Sequence, residues 1–157
     1  MNKDDFSLTI DQKKIHFDVV FNALHGDPGE NGKLQSYFEM MNIPYTGCDS
    51  FCSAITFNKY FCNIAVAKFG VPVAPSVHFY NDEIINFQNI IDICGLPCFV
   101  KPCNSGSSVG VNKAHNLEEL KEAVNIAFTV DQQIMVEQFI PGRELTCGVA
   151  KFKGEVK

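Results

Sequence analysis

No apolar run in these 157 residues approaches the roughly 18 residues that a membrane-spanning helix needs. Basic residues are in the minority, with 13 Lys and Arg against 18 Asp and Glu, and they form no basic stripe. The first five residues, from Met1 to Asp5, are too polar for a signal peptide. We therefore expect a cytoplasmic protein that binds neither nucleic acid nor a membrane.

The cysteines do not have the spacing of a metal or disulfide site. There are seven, an odd number, and no two of them form a C-x-x-C pair. This pattern argues against a zinc site and a disulfide framework, so we expect reduced thiols and predict no metal ligands. Hydrophobic residues make up 46% of the chain, which is sufficient for a packed core in one large domain or two small lobes.

The first third of the chain has the pattern of a βαβ unit. Two strands are predicted within residues 6–21, joined by a turn at 11–14, and residues 19–21 have the pattern of a buried parallel strand. A glycine-rich loop follows at 22–32. After it we predict a helix with Leu34, Phe38 and Met41 on one face, and a returning strand at 43–46.

The rest of the chain mixes helices and strands without strict alternation. The predicted helices are 56–69, 84–94 and one that Asn116 caps, and the predicted strands are 76–80, 98–101, 109–113, 133–139 and 144–152. We place a domain boundary near residues 50–57. The predicted fold class is α/β followed by α+β.

Lys101 and the loop after it form the most informative segment. A lysine at the end of a buried strand is costly unless it meets an anion. The loop at 103–110 is rich in glycine and serine, and such a loop can turn N–H groups and hydroxyls towards polyphosphate. It is neither a Walker A loop nor a G-x-G-x-x-G fingerprint. From the residues alone, a plain β-hairpin turn with a solvated lysine explains the segment equally well.

Two further clusters could carry chemistry. Glu137 and Glu144 flank a strand end, where free N–H and C=O groups can pair with an adenine edge and a carboxylate can accept ribose hydroxyls. Taken alone, these residues fit an edge strand with solvated charges better. His25 opens a glycine loop at a strand C-terminus, where ligands bind in α/β folds, although it could merely cap that loop. Lys59, near a helix start, has the position of a solvated lysine.

The motif His25-Gly26-x-x-Gly29-Glu30-Asn31-Gly32-x-Leu34-Gln35-Ser36 resembles a signature of D-alanine–D-alanine ligases. Lys101-Pro102 with Gly106-Ser107-Ser108-Val109-Gly110 resembles the phosphate loop of the same enzymes, and Glu137 and Glu144 match in spacing. The resemblance covers essentially the whole chain. Its histidine–glycine motif is specific to this family, whereas the other elements indicate ATP-grasp enzymes in general.

The resemblance implies a particular domain arrangement. Residues 1–55 would be the C-terminal part of a Rossmann-like, substrate-side α/β domain, and residues 56–157 the first α+β subdomain of an ATP-grasp fold, which binds the nucleotide. A lid and the carboxylates that hold Mg²⁺ would follow Lys157, and an acidic residue would precede Met1. We therefore expect a chain truncated at both ends, inactive alone, from a protein that forms a homodimer when full-length.

The resemblance also implies residue roles. Lys59 and Lys101 would contact the nucleotide phosphates, and Lys101 would also lie near the adenine. Ser107 and Ser108 would lie in the loop over the β- and γ-phosphates. The adenine edge would meet Glu137 and the backbone of Gln138 and Ile140, and the ribose would meet Glu144. His25, near the first D-alanine, and Ser107, bonded to a lid tyrosine, would be catalytic. Family members often have Lys where Gln138 stands, a change that a backbone contact tolerates.

The implied activity is ATP- and Mg²⁺-dependent joining of two D-alanines through D-alanyl phosphate, for peptidoglycan precursors and hence cell-wall biogenesis and cell shape. The alternatives are a D-alanine–D-lactate or D-alanine–D-serine ligase, another ATP-grasp carboxylate–amine ligase, and, in a different class, a non-catalytic nucleotide-binding fragment. By the resemblance, the residues that choose the second substrate would lie largely outside this chain.

Overall fold

The computed structural model describes residues 1–156. Its elements, in chain order, are β1 (Leu8–Ile10), β2 (Lys13–Ile15), α1 (Lys33–Met40), α2 (Ser50–Phe57), α3 (Lys59–Lys68), β3 (Ser76–Tyr80), α4 (Phe87–Cys94), β4 (Cys98–Pro102), β5 (Asn112–Ala114), α5 (Leu117–Val130), β6 (Gln133–Gln138), β7 (Lys151–Phe152) and β8 (Glu155–Val156). In that range no helix combines the length and the apolar character that a membrane span requires.

A four-stranded antiparallel sheet, in the order β3-β6-β4-β5, organises the larger part of the chain. Helices α4 and α5 pack on one face and form the core, whose largest buried side chains include Ile90, Val100, Leu120, Ile134 and Val136. Because successive side chains of a strand point to opposite faces, Phe99, Lys101 and Glu137 lie on the face away from these helices.

The predicted βαβ unit is confirmed in a minimal form. Val20 and Tyr45 form a parallel bridge on either side of α1, with the Val20 N–H 2.8 Å from the Pro44 carbonyl. The prediction of a buried strand at 19–21 is wrong, because Val19 is 59% and Phe21 80% exposed. Within residues 1–156, the segment at 44–46 is the only one that pairs with this strand, so most of its apolar surface faces solvent.

The helix predicted at 56–69 is confirmed as α3, which begins three residues later, at Lys59, because a separate helix that the sequence did not predict, α2, ends at Phe57. The backbone of Asn58 is extended, with ψ of 110°, and its side chain caps α3 by accepting the Phe61 N–H at 3.1 Å. Asp49 caps α2 in the same way, accepting the Cys52 N–H at 2.7 Å. Each cap satisfies a free N–H of a first turn, and therefore α2 and α3 are separate short helices. The predicted boundary at residues 55 and 56 lies inside α2.

The remaining boundaries follow local turn chemistry. Asn86 caps α4 and delays its start to Phe87, and the predicted strand at 109–113 starts at Asn112 because a turn extends through Gly110. The strand predicted at 144–152 is wrong: the segment at 141–150 is irregular and exposed. Only β7 forms there, in a hairpin whose turn residues Lys153 and Gly154 both have positive φ. The capping box predicted at Asn116 is confirmed by its bond from the Glu119 N–H, at 2.9 Å.

All seven cysteines carry free thiols. Burial raises the pKa of the Cys98 thiol to about 11 and that of Cys103 to about 12. Because the thiolate is the reactive form, these two side chains behave as small apolar core residues at neutral pH.

Candidate functional site

Lys101 and Glu137 form an ion pair on the sheet face that α4 and α5 leave uncovered. Their side chains are only 23% and 15% exposed, so both charges are largely removed from water and each compensates the other. A buried lysine needs an anionic partner, and in this structure that partner is the carboxylate of Glu137. The ammonium has three N–H donors, and the bond to Glu137 is the one hydrogen bond it makes within residues 1–156.

The end of β6 presents two backbone groups that the sheet does not satisfy. The Gln138 N–H donates to the Pro75 carbonyl at 2.9 Å. Paired residues of this kind normally exchange both hydrogen bonds, but Pro75 has no N–H to return. The Gln138 carbonyl is therefore left without a donor from β3. Within residues 1–156, no group accepts the Ile140 N–H. A free acceptor and a free donor thus lie two residues apart.

Glu144 does not join this group. It lies in the irregular segment at 141–150, is exposed, and makes no hydrogen bond or ion pair with residues 1–156. Its expected place beside Glu137 rested on the predicted strand at 144–152, which does not form. The contact between Glu144 and a ribose stays a prediction.

Lys59 is the first residue of α3 and is half-buried, contrary to the solvated position its sequence suggests. Its ammonium donates to the carbonyl of Pro102 at 3.0 Å and to that of Ser105 at 2.5 Å. Its backbone N–H donates to the Cys103 carbonyl at 3.0 Å. Desolvation lowers the pKa of Lys59. Lys59 therefore joins α3 to the start of the glycine-rich loop.

The loop itself is turned by residues in the left-handed region. Ser107 and Ser108 have φ of 49° and 57°, and Gly110 has φ of 73°. Both serine hydroxyls are exposed and have no hydrogen-bond partner within residues 1–156. Successive residues in such conformations can direct their N–H groups into a concavity that suits an anion.

His25 lies in the wall of a cleft of about 1070 Å³ between the loop at 21–30 and the glycine-rich loop. Lys59 and Ser107 line the same cleft, whereas Lys101 and Glu137 do not. The His25 side chain is 95% exposed, and its Nδ1 is 3.8 Å from Glu30 Oε1. The second oxygen of Glu30 accepts the Gly26 N–H at 2.5 Å, so Glu30 shapes the loop that carries His25.

A polar network around the buried Asn58, which sequence reasoning missed, supports the glycine-rich loop. Asn58 is 6% exposed, and its amide donates at 3.1 Å to both Asn104 Oδ1 and Gln133 Oε1. The Asn104 N–H donates to Asp131 at 2.6 Å. The asparagine before α3 is visible in the sequence as a cap. Its partners are 46 and 75 positions away, so the network is visible only in three dimensions.

Metal ligands do not assemble in the described part of the chain. Residues 1–156 contain no group of three or more His, Cys, Asp or Glu side chains that could hold a metal ion.

Sequence comparison identifies related proteins over the whole chain. The family model "D-ala D-ala ligase N-terminus" matches residues 2–48, and "D-ala D-ala ligase C-terminus" matches residues 65–157. The chain is 42% identical over 157 residues to a D-alanine--D-alanine ligase of Flavobacterium johnsoniae, covering 100% of this chain and 49% of that protein. Its identity to the same-named protein of Flavobacterium psychrophilum is 44%, covering 100% and 48%. The chain thus spans about half the length of these relatives.

Solved structures lead to the same family. The fold is similar to D-alanyl-alanine synthetase A from Vibrio cholerae, with a TM-score of 0.89 and 29% identity over 100% of this chain and 48% of that one. It is also similar to a D-Ala:D-Ser ligase from Enterococcus faecalis, with a TM-score of 0.76 and 35% identity over 90% and 41%. The fold is accordingly the mixed α/β arrangement of ATP-grasp enzymes, and this chain belongs to the D-alanine–D-alanine ligase family.

Proposed function

We propose that this chain provides the nucleotide-binding subdomain and part of the substrate-side domain of an enzyme that uses ATP to join two D-alanines. The observation that carries the proposal is the end of β6, with the free Gln138 carbonyl and the free Ile140 N–H beside the Lys101–Glu137 pair. Adenine offers its N6 amino group as a donor and its N1 as an acceptor along one edge. One free acceptor and one free donor on the protein complement that edge.

The phosphates would meet two lysines and the glycine-rich loop. Lys101 has ammonium donors to spare, whereas Lys59 would exchange a neutral carbonyl, that of Pro102 or Ser105, for a phosphate oxygen. Such an exchange is favourable because hydrogen bonds between charged partners are about twice as strong as neutral ones. The free hydroxyls of Ser107 and Ser108 add donors for the β- and γ-phosphates.

His25 would lie beside the first D-alanine, in the cleft that also reaches Lys59 and Ser107. The carboxylate of that D-alanine attacks the γ-phosphorus and displaces ADP. The amine of the second D-alanine attacks the acyl carbon, and phosphate leaves with the bridging oxygen. Ser107 faces this cleft and would help to keep water from the acyl phosphate.

The domain, metal, pathway and oligomer assignments concern the full-length protein. We assign residues 1–55 to the substrate-side domain and residues 56–157 to the nucleotide-binding subdomain. Mg²⁺ would be held by residues outside the described chain. The product would enter peptidoglycan synthesis in the cytoplasm, and the intact enzyme would act as a homodimer. Glu144 would reach the ribose if its exposed segment folds over the nucleotide.

A second candidate is a ligase that accepts another second substrate. The similarity to the D-Ala:D-Ser ligase from Enterococcus faecalis, at 35% identity, supports D-serine as an alternative second substrate. The alternative concerns only the second step, because the first D-alanine and ATP are common to both reactions.

Phosphate release by the full-length protein tests the proposal. With ATP and D-alanine, we expect release that rises with D-alanine and yields D-alanyl-D-alanine, detected by mass spectrometry. D-Alanine with D-serine, D-alanine with D-lactate and L-alanine alone serve as comparisons. A mixed product formed at a higher rate would assign the second substrate differently, and no release with any D-amino acid would reject the ligase.

A further inference from the structure

Two aromatic rings and a second lysine lie beside the Lys101–Glu137 pair on the same sheet face. Phe99 of β4 lies opposite Lys113 of β5, and the rings of Phe99 and Phe139 have centroids 6.0 Å apart. The Lys113 ammonium is 3.5 Å from the centroid of the Phe139 ring and 5.9 Å from that of Phe99. Lys113 therefore lies directly on the Phe139 ring.

Both lysines lie over aromatic rings, with the Lys101 ammonium 5.3 Å from the Phe99 centroid, but they differ in their charged partners. Lys101 is paired with a carboxylate, whereas Lys113 forms no ion pair within residues 1–156. A cation over an aromatic face, within about 6 Å of its centre, is attracted by the negative face of the ring. Because Lys113 is half-buried, solvent screens this attraction only in part. Phe139 is thus the principal partner of this ammonium.

The Gln138 N–H is held by the Pro75 carbonyl, but from Phe139 onwards few backbone hydrogen bonds fix the chain. Strand β6 ends at Gln138, and the Phe139 N–H reaches the Pro97 carbonyl at a long 3.3 Å. The chain from 141 onwards is exposed and irregular. The Gln138 carbonyl and the Ile140 N–H lie on either side of Phe139 in the chain, so their positions depend on how that ring is held.

We propose that Lys113 is a positioning residue for recognition of the nucleotide base. Its cation holds the Phe139 ring against Phe99 and so keeps the Gln138 carbonyl and the Ile140 N–H at the spacing of an adenine edge. The inference rests on the proposed ATP-dependent function. It also predicts selectivity, because guanine presents its O6 acceptor where adenine presents an amino donor, and a fixed carbonyl repels that acceptor.

Replacing Lys113 in the full-length enzyme tests the inference. In Lys113→Met, which keeps an apolar side chain of similar length, we expect the Kd for ATP, measured by calorimetry, to rise roughly two- to five-fold. The preference for ATP over GTP should fall by a similar factor, with the loss in KM for ATP rather than in kcat. Lys113→Arg should restore both, because a guanidinium also stacks on an aromatic face. Lys121→Met, which removes a half-buried lysine paired with Glu118 on α5, is the matched control.

A double-mutant cycle with Phe139→Leu separates positioning from direct contact. If Lys113 acts through the ring, Lys113→Met adds no further loss of ATP affinity in the Phe139→Leu background. An equal loss in both backgrounds means that Lys113 binds the nucleotide itself and overturns the inference. Unchanged ATP affinity and selectivity in Lys113→Met, or in Lys113→Gln if the methionine variant does not fold, also overturns it while leaving the ligase proposal intact. A wild-type enzyme that does not bind ATP rejects both.

Discussion

Replacing Lys101 by methionine in the full-length enzyme is expected to weaken ATP binding by roughly ten- to hundred-fold, because a charge-assisted hydrogen bond contributes about 1.5–3 kcal/mol. The Lys101 side chain is 23% exposed, so solvent screens its charge poorly and its attraction for a phosphate is strong. The substitution also leaves the Glu137 carboxylate without its cation, and that unpaired negative charge would repel the phosphates further.

The measurement is titration calorimetry with ATP on protein whose thermal unfolding shows that it is folded. Lys101→Arg keeps the charge and should retain most of the affinity. Lys68→Met, at the exposed last residue of α3, is the control for the loss of a positive charge alone. If Lys101→Met binds ATP as tightly as the wild type, Lys101 serves only to neutralise Glu137, and its assignment to the nucleotide is incorrect.

Replacing Gly110 by alanine should lower the free energy of unfolding by about 2–4 kcal/mol, since overpacking alone costs about 1–3 kcal/mol and a left-handed residue adds roughly 1 kcal/mol or more. Gly110 has φ of 73°, and a Cβ there would lie 2.8 Å from Pro102 Cγ and 2.9 Å from Val130 Cγ2. Neither neighbour can move away easily, because a proline ring and a β-branched side chain are both stiff.

Gly106 offers a matched control four residues earlier in the same loop. Its φ is not in the left-handed region, and a Cβ there would have no atom within 4 Å. Gly106→Ala should therefore change stability little, or raise it by up to about 1 kcal/mol by restricting the unfolded chain. Urea denaturation of both variants in the full-length protein measures the difference. Equal losses would mean that Gly110 is not confined by Pro102 and Val130.

Local patterns predicted much of the fold. The cap at Asn116 is a property of neighbouring residues, and α5 and the strands β3, β4 and β6 appear close to where the sequence places them. The break between α2 and α3 was missed, although Asn58 is a good capping residue, because its apolar neighbours continue the helical pattern. The strand at 144–152 was predicted wrongly because apolar residues alone do not provide a strand with a partner.

The candidate site was predicted less completely, and for a different reason. The motif residues were visible, but their partners come from distant parts of the chain: Glu137 for Lys101, and the carbonyls of Pro102 and Ser105 for Lys59. The free Gln138 carbonyl depends on Pro75, which lies immediately before β3 and far from Gln138 in the sequence. The first and last of these relations follow from strand register and the Lys59 contacts from the packing of α3 on the loop, and sequence periodicity specifies neither.

The most direct test of the proposed chemistry follows the oxygen atoms of D-alanine. The full-length enzyme is given ATP and D-alanine whose carboxylate carries two oxygen-18 atoms, and the released phosphate is analysed by mass spectrometry. Because the acyl phosphate leaves with the bridging oxygen, we predict phosphate that contains one oxygen-18 atom for each dipeptide formed. Dipeptide formed alongside unlabelled phosphate would contradict carboxylate phosphorylation and, with it, the ligase function proposed for this chain.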